Sequence, residues 1–146
     1  MKEQLLTLKY IQNNMPQLTN VIIIDDSKED CYLIKKRLKT LGSTVNVISF
    51  LNAQEAYNII KDETLDVLQA AKNIIILDIY MPLMDGFEFV EEFENLPADI
   101  QDNYTICALT SSISKSNMEK ITGYKSVKSF LEKPIKTESL LQLIQS

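Results

Sequence analysis

Five side chains able to do chemistry stand at separated points of this 146-residue chain: the adjacent acids Asp25 and Asp26, then Asp78, Thr110 and Lys133. Each follows closely on a short apolar run. If the chain folds so as to gather them, its three carboxylates repel one another, at roughly 3 kcal/mol per pair for a separation of about 5 Å and an effective dielectric near 20. Such a cluster calls for a cation. Mg²⁺ suits it, because it takes a few carboxylates, keeps several waters and completes its shell with phosphate oxygens. A carboxylate beside that ion can attack a phosphoryl group and form an aspartyl phosphate. An ammonium such as that of Lys133 adds positive charge against the phosphoryl oxygens, and a hydroxyl such as that of Thr110 can donate to the product phosphate.

Every one of these residues also has a plainer use. A DD pair after a strand often sits at a helix start, where the helix dipole favours it. A lone Asp at a strand end turns the chain, Thr110 followed by Ser111 and Ser112 can cap a helix, and Lys133-Pro134 marks the end of a strand. Taken singly, the plain readings are the commoner ones. The chemical reading gains weight because all of these residues occur in order at the ends of alternating strands.

The elements that would position them follow from periodicity. Residues 21–24 form a continuous apolar run, the mark of a strand buried on both faces, and Asp25-Asp26 end it. Ser27 with Asp30 opens a helix whose apolar face is Ile34, Leu38 and Leu41, and Gly42 stops it. Residues 44–49 alternate as a strand. Asn52 with Glu55 caps a helix facing inward through Ala56, Ile59 and Ile60. Leu65, Leu68 and Ala71 keep helical spacing, so residues 64–72 are expected to extend or follow that helix. Residues 74–77 read as a third strand, ending at Asp78. Asp85 with Glu88 caps a helix bearing Phe89, Val90 and Phe93. Residues 104–109 read as a fourth strand, a helix runs from Ser114 through Met118 and Ile121, and residues 127–131 form a fifth strand. A last helix over residues 137–145 carries Leu140, Leu143 and Ile144. Five strands alternating with five helices imply an α/β fold, a parallel sheet covered on both faces. In such sheets the functional crevice lies outside the carboxyl ends of the strands, where all five side chains fall.

Composition narrows the function classes. There is no histidine, which excludes a histidine base, a histidine metal ligand and a phosphohistidine in this sequence. A formal charge of −5, without a basic stripe carrying aromatics, argues against nucleic acid as a partner. No apolar run approaches the roughly 18 residues of a membrane span, and no signal-peptide pattern opens the chain, so a cytoplasmic protein without membrane contact is expected. Cys31 and Cys107 fall inside expected core segments without metal-type spacing and read as buried thiols.

Four stretches carry a family resemblance: IIIDDS at residues 22–27, ILDIYMPLMDGFEF at 76–89, ALTSS at 108–112 and FLEKP at 130–134. With them, the chain resembles the response-regulator receiver domain of bacterial two-component signalling from about residue 19 onward. The resemblance divides the chain into an N-terminal extension over residues 1–19 and a receiver over 20–146. It implies a flavodoxin-like, doubly wound five-stranded parallel sheet of order 2-1-3-4-5 with five helices, the order that the chemotaxis receiver shares with flavodoxin. Asp78 would be the phosphoacceptor. Asp26 and Asp78 would hold Mg²⁺ directly, Asp25 mainly through a water, and the Tyr80 carbonyl would supply a backbone ligand. Thr110 would be the switch hydroxyl, Lys133 would contact the phosphate, Phe130 would be the rotating aromatic, and the Lys133–Pro134 bond would be cis. The residues between Ala56 and Asp78 are more numerous than usual, and Tyr80 is bulky where receivers tune the access of hydrolytic water.

The implied function is that of a stand-alone phosphoacceptor switch rather than an enzyme with turnover on other substrates. Its donor would be a sensor histidine kinase or phosphotransfer protein, and it would signal through a further protein, since after Pro134 only enough chain remains for a closing helix. Two other readings stand beside it. A haloacid-dehalogenase-type phosphatase also uses an aspartyl phosphate, but needs a DxD motif where this chain has Asp78-Ile79-Tyr80. A receiver fold used only for docking would need none of the acids, hydroxyl or lysine.

Overall fold

The computed structural model describes residues 2–6, 18–41, 45–69 and 71–146. Residues 2–6 are helical with Leu5 and Leu6 exposed; the rest of the expected extension up to residue 17 lies outside the described residues. Five strands follow: β1 (Thr19–Ile24), β2 (Val45–Phe50), β3 (Lys72–Asp78), β4 (Tyr104–Thr110) and β5 (Val127–Glu132). They pair in parallel in the order β2-β1-β3-β4-β5, the order that the resemblance implied. Between and after them run α1 (Lys28–Lys39), α2 (Ala53–Asp62), α3 (Gly86–Phe93), the short α4 (Ala98–Gln101), α5 (Lys115–Thr122) and α6 (Thr137–Gln145). The five expected helices are present, and α4 and the helical segment at residues 2–6 are additional.

The helices start where the sequence offers a side-chain oxygen to their free N–H groups. Ser27 accepts from the Asp30 amide, Asn52 from Glu55, Asp85 from Glu88 and Ser114 from Asn117. The expected stop of α1 at Gly42 and the start of the next strand at Thr44 fall on residues 42–44, outside the described residues.

Residues 64–72 depart from expectation. They do not prolong α2, which ends on Glu63 in the left-handed region (φ 51°, ψ 40°). Among the described residues of this stretch, a single 3₁₀ turn, Asp66–Leu68, follows, and β3 already begins at Lys72. The cause is a row of asparagines at the N-terminal edge of the sheet. Asn20 Nδ2 donates to Asn73 Oδ1 at 2.8 Å and to the Val67 carbonyl at 3.0 Å. Asn73 Nδ2 donates to the Leu68 carbonyl at 2.7 Å, and Asn46 Nδ2 to Asn20 Oδ1 at 3.0 Å. With Leu68 buried beneath, these bonds fold the segment back on β1 and β3, and the carbonyls of Val67 and Leu68 that accept them are ones a helix would have used itself.

The sheet separates two cores. On one face Ile22, Ile24, Ile75, Leu77, Ile106 and Ala108 pack with α2, α3 and α5 through Ala56, Ile60, Phe89, Val90, Phe93 and Ile121. On the other, Val21, Ile23, Ile76 and Leu109 meet α1 and α6 through Cys31, Ile34, Leu38 and Leu140. Alternate residues of the central strands thus feed opposite cores, which is why residues 21–24 of β1 and 74–77 of β3 read as unbroken apolar runs. Both cysteines are buried and free, and burial, the largest cause, pushes each thiol up to about 11.

Candidate functional site

The C-terminal ends of β1, β3, β4 and β5 deliver the side chains singled out in the sequence to one crevice. Asp25 follows β1 directly. It is fully buried; its amide donates to the Phe50 carbonyl at 3.1 Å, and its Oδ1 accepts from the Ser27 amide at 2.9 Å. Asp26, next along, is exposed. Asp78 closes β3 at 5% exposure, its Oδ1 accepting from the Tyr80 amide at 3.2 Å. One ligand oxygen from each of Asp25, Asp26 and Asp78 lies within 4.8 Å of the others.

Two backbone contacts hold the acceptor segment in place. The Ile79 amide donates to the Leu109 carbonyl at 3.1 Å, and the Gly86 amide to the Ile79 carbonyl at 2.8 Å. Gly86 opens α3 so close to the acceptor strand that a Cβ there would lie 2.7 Å from Ile79 Cα and 2.9 Å from the Asp78 carbonyl oxygen. Only a residue without a side chain lets the helix approach this far.

Lys133 enters from the end of β5, after a backbone step in which its amide donates to the Thr110 carbonyl at 2.8 Å. The Lys133–Pro134 bond is cis, as expected. The Lys133 ammonium donates to Asp78 Oδ2 at 3.2 Å and to Asp30 Oδ2 at 2.8 Å. It also lies 2.9 Å from Asp25 Oδ2. Among the described residues, that ammonium is the one positively charged group against the buried Asp25 Oδ2, and no further donor reaches that oxygen. Asp30 was legible in the sequence only as part of a helix cap; its reach to Lys133 across 103 residues was not.

The electrostatics are those of an acid cluster short of positive charge. Burial first, and the charge of Asp25 second, push the Asp78 carboxyl up to about 6 against the partial relief given by Lys133. For Lys133, burial opposes the charged form, but the close Asp30 and Asp25 carboxylates and the charges of Asp25 and Asp78 outweigh it and hold the ammonium above its usual value. The Lys133 ammonium is thus shared among Asp25, Asp30 and Asp78, with the Asp26 carboxylate beside them. An all-oxygen donor set, a buried Asp25 oxygen met only by the Lys133 ammonium among the described residues, and an exposed Asp26 at the open side fit a hard divalent cation that keeps some of its waters.

The remaining site residues lie nearby. Thr110 ends β4 at 1% exposure, with its Oγ1 donating to the Ser112 carbonyl at 3.2 Å rather than to a carboxylate. Phe130 is half-buried against the core that holds α2, α3 and α5. Tyr80 is 45% exposed, and its hydroxyl accepts from Asn117 Nδ2 at 2.9 Å.

Comparison with known proteins finds the same fold elsewhere. The receiver protein from Dyadobacter fermentans superposes with a TM-score of 0.76 at 27% identity, covering 87% of this chain and 95% of that one. The chemotaxis protein CheY4 of Vibrio cholerae gives 0.63 at 25% identity, over 88% and 97%. In sequence, the sensor histidine kinase CheAY of Helicobacter pylori is 30% identical over 139 residues, 90% of this chain but only 15% of that protein. The hybrid signal transduction histidine kinase D of Dictyostelium discoideum is 29% identical over 69% of this chain and 6% of its own length. No helix among the described residues is long and apolar enough to cross a membrane. Residues 21–145 match the response regulator receiver domain, and the chain belongs to that family of two-component signalling domains.

Proposed function

We propose that Asp78 is the phosphoacceptor of this receiver, taking a phosphoryl group in a Mg²⁺-dependent step from a histidine kinase or phosphotransfer protein. The observation that carries this reading is the meeting of Asp25, Asp26 and Asp78 within 4.8 Å, with the Lys133 ammonium 3.2 Å from Asp78 Oδ2. Asp25, Asp26, Asp78 and the Tyr80 carbonyl would hold the cation, which when bound neutralises charge on the transferring oxygens.

An Asp78 carboxylate oxygen attacks phosphorus, and the bond from phosphorus to the donor's imidazole nitrogen breaks, its electron pair leaving with the imidazole. Lys133 donates to the phosphoryl oxygens. Burial of Asp78 keeps bulk water from the carboxylate, while the exposed Asp26 side admits the donor. Afterwards Thr110 exchanges its bond to the Ser112 carbonyl for one to the phosphoryl group, and Phe130 turns further inward. That change reaches α5 and the end of β5, where a target protein would read it. The names of the kinase relatives support a phosphoryl donor of that class. A cytoplasmic setting and output through protein contacts belong to the same reading.

Incubation with acetyl phosphate and Mg²⁺, followed by intact mass, tests it. One retained phosphoryl group is expected. Rapid release with turnover of varied phosphate esters would point to a phosphatase, and no uptake at all to a docking module.

A further inference from the structure

The Lys133 ammonium is held by an acid from outside the carboxylate cluster. Asp30 sits in the first turn of α1, where its amide donates to Ser27 Oγ at 3.2 Å. That bond completes the helix cap from the backbone and leaves the Asp30 carboxylate free for another partner. The partner is Lys133, at 2.8 Å from Asp30 Oδ2, against 2.9 Å to Asp25 and 3.2 Å to Asp78. The shortest of the three contacts is therefore the one to the residue that takes no part in the cluster. Asp30 is also the most open of the three, with its side chain 39% exposed against 1% for Asp25 and 7% for Asp78.

We propose that Asp30 is a positioning residue for phosphoryl transfer to Asp78, tethering the Lys133 ammonium at the mouth of the crevice. The inference rests on the phosphoacceptor reading above. Two of the lysine's three contacts are to acids whose charge a divalent cation would neutralise. Once their charge is spent, a dication a few ångströms away repels the ammonium, and the four-carbon stem of lysine lets it swing to solvent. Asp30 keeps its full charge in that situation. Standing at the rim, it holds Lys133 facing Asp78 without a large desolvation cost. Glu29 makes the comparison clean. It shares the first turn of α1 and the same helix dipole, but it accepts from Ser27 Oγ at 3.3 Å.

The full chain tests this through four variants. At saturating Mg²⁺, Asp30→Asn slows uptake from acetyl phosphate about fivefold or more. Asp30→Glu recovers part of the loss, and Glu29→Gln stays close to wild type. In a Lys133→Ala background, Asp30→Asn adds nothing, which a merely structural role would not produce. At saturating Mg²⁺, ¹⁵N-edited spectra show a slowly exchanging lysine ammonium that both Lys133→Ala and Asp30→Asn abolish. Wild-type uptake in Asp30→Asn, or an equal slowing with and without Lys133, overturns the tether alone. Failure of the wild-type chain to take up phosphate overturns the phosphoacceptor reading and the tether with it.

Discussion

The Tyr80 hydroxyl accepts a hydrogen bond from Asn117 Nδ2 at 2.9 Å, tying the loop after the acceptor strand to the first turn of α5. The bond joins the segment that carries Asp78 to the helix that follows Thr110. Tyr80→Phe removes it with little change of shape. An exposed bond of this kind contributes at most about 0.5–1.5 kcal/mol. Faster amide exchange around Asn117 is expected, with a shorter aspartyl phosphate lifetime as water enters more freely. Unchanged exchange in α5 would show that the bond does not restrain the helix.

Metal binding should depend on the cluster before any phosphate is present. Mg²⁺ binds weakly to the unphosphorylated chain, and Asp26→Asn or Asp78→Asn weakens it by about tenfold, each removing one of three repelling ligands. Calorimetric or NMR titration measures this directly. Equal affinity in both variants and wild type would remove the proposed cation site.

Without a cation, the crowded acids should cost stability, and the cost should depend on pH. The Asp78 carboxyl is raised in the fold from 3.8 to about 6. A raised folded value means that the favourable contribution is fully present below about pH 4 and is lost as pH rises through 6. A rise of that size corresponds to roughly 3 kcal/mol, an upper figure for a carboxyl with a lysine beside it. In EDTA above pH 6, Asp78→Asn should therefore be more stable than wild type to urea. The gap should close toward pH 4, and Mg²⁺ should narrow it at neutral pH. A less stable Asp78→Asn at pH 7 in EDTA would contradict the electrostatic account.

Thr110 should report the phosphate rather than receive it. Its hydroxyl now donates to the Ser112 carbonyl, while its own carbonyl accepts from the Lys133 amide at 2.8 Å. Thr110→Ala should take up phosphate at close to the wild-type rate. Beryllofluoride activation, followed by NMR, should then move α5 and Phe130 much less than in wild type. A full wild-type shift in the variant would dismiss the hydroxyl from the switch.

The layout of strands and caps was legible because each signal is local. Asp85 and Glu88 stand three residues apart wherever the chain is placed, and residues 21–24 of β1 and 74–77 of β3 are apolar because both faces of the sheet are covered there. The gathering of Asp25, Asp78 and Lys133 followed from one rule, that parallel strands end on the same side. What escaped depends on contacts between distant residues. Leu65 and Leu68 have helical spacing, yet the 3₁₀ turn is dictated by Asn20 and Asn73, which nothing nearby in the sequence announces. Asp30 was hidden differently, because one residue serves two purposes and the helix cap accounts only for its backbone.

The identity of the acceptor is the central claim, and chemical trapping tests it most directly. Borohydride reduces an acyl phosphate at aspartate to homoserine, leaving a mark that survives digestion. Treated with acetyl phosphate and Mg²⁺ and then borohydride, the wild-type chain should carry homoserine at position 78 and no other acid should be altered, while Asp78→Asn should remain unmarked. A mark at Asp25 or Asp26, or an equal yield of marked peptide from Asp78→Asn, would contradict it.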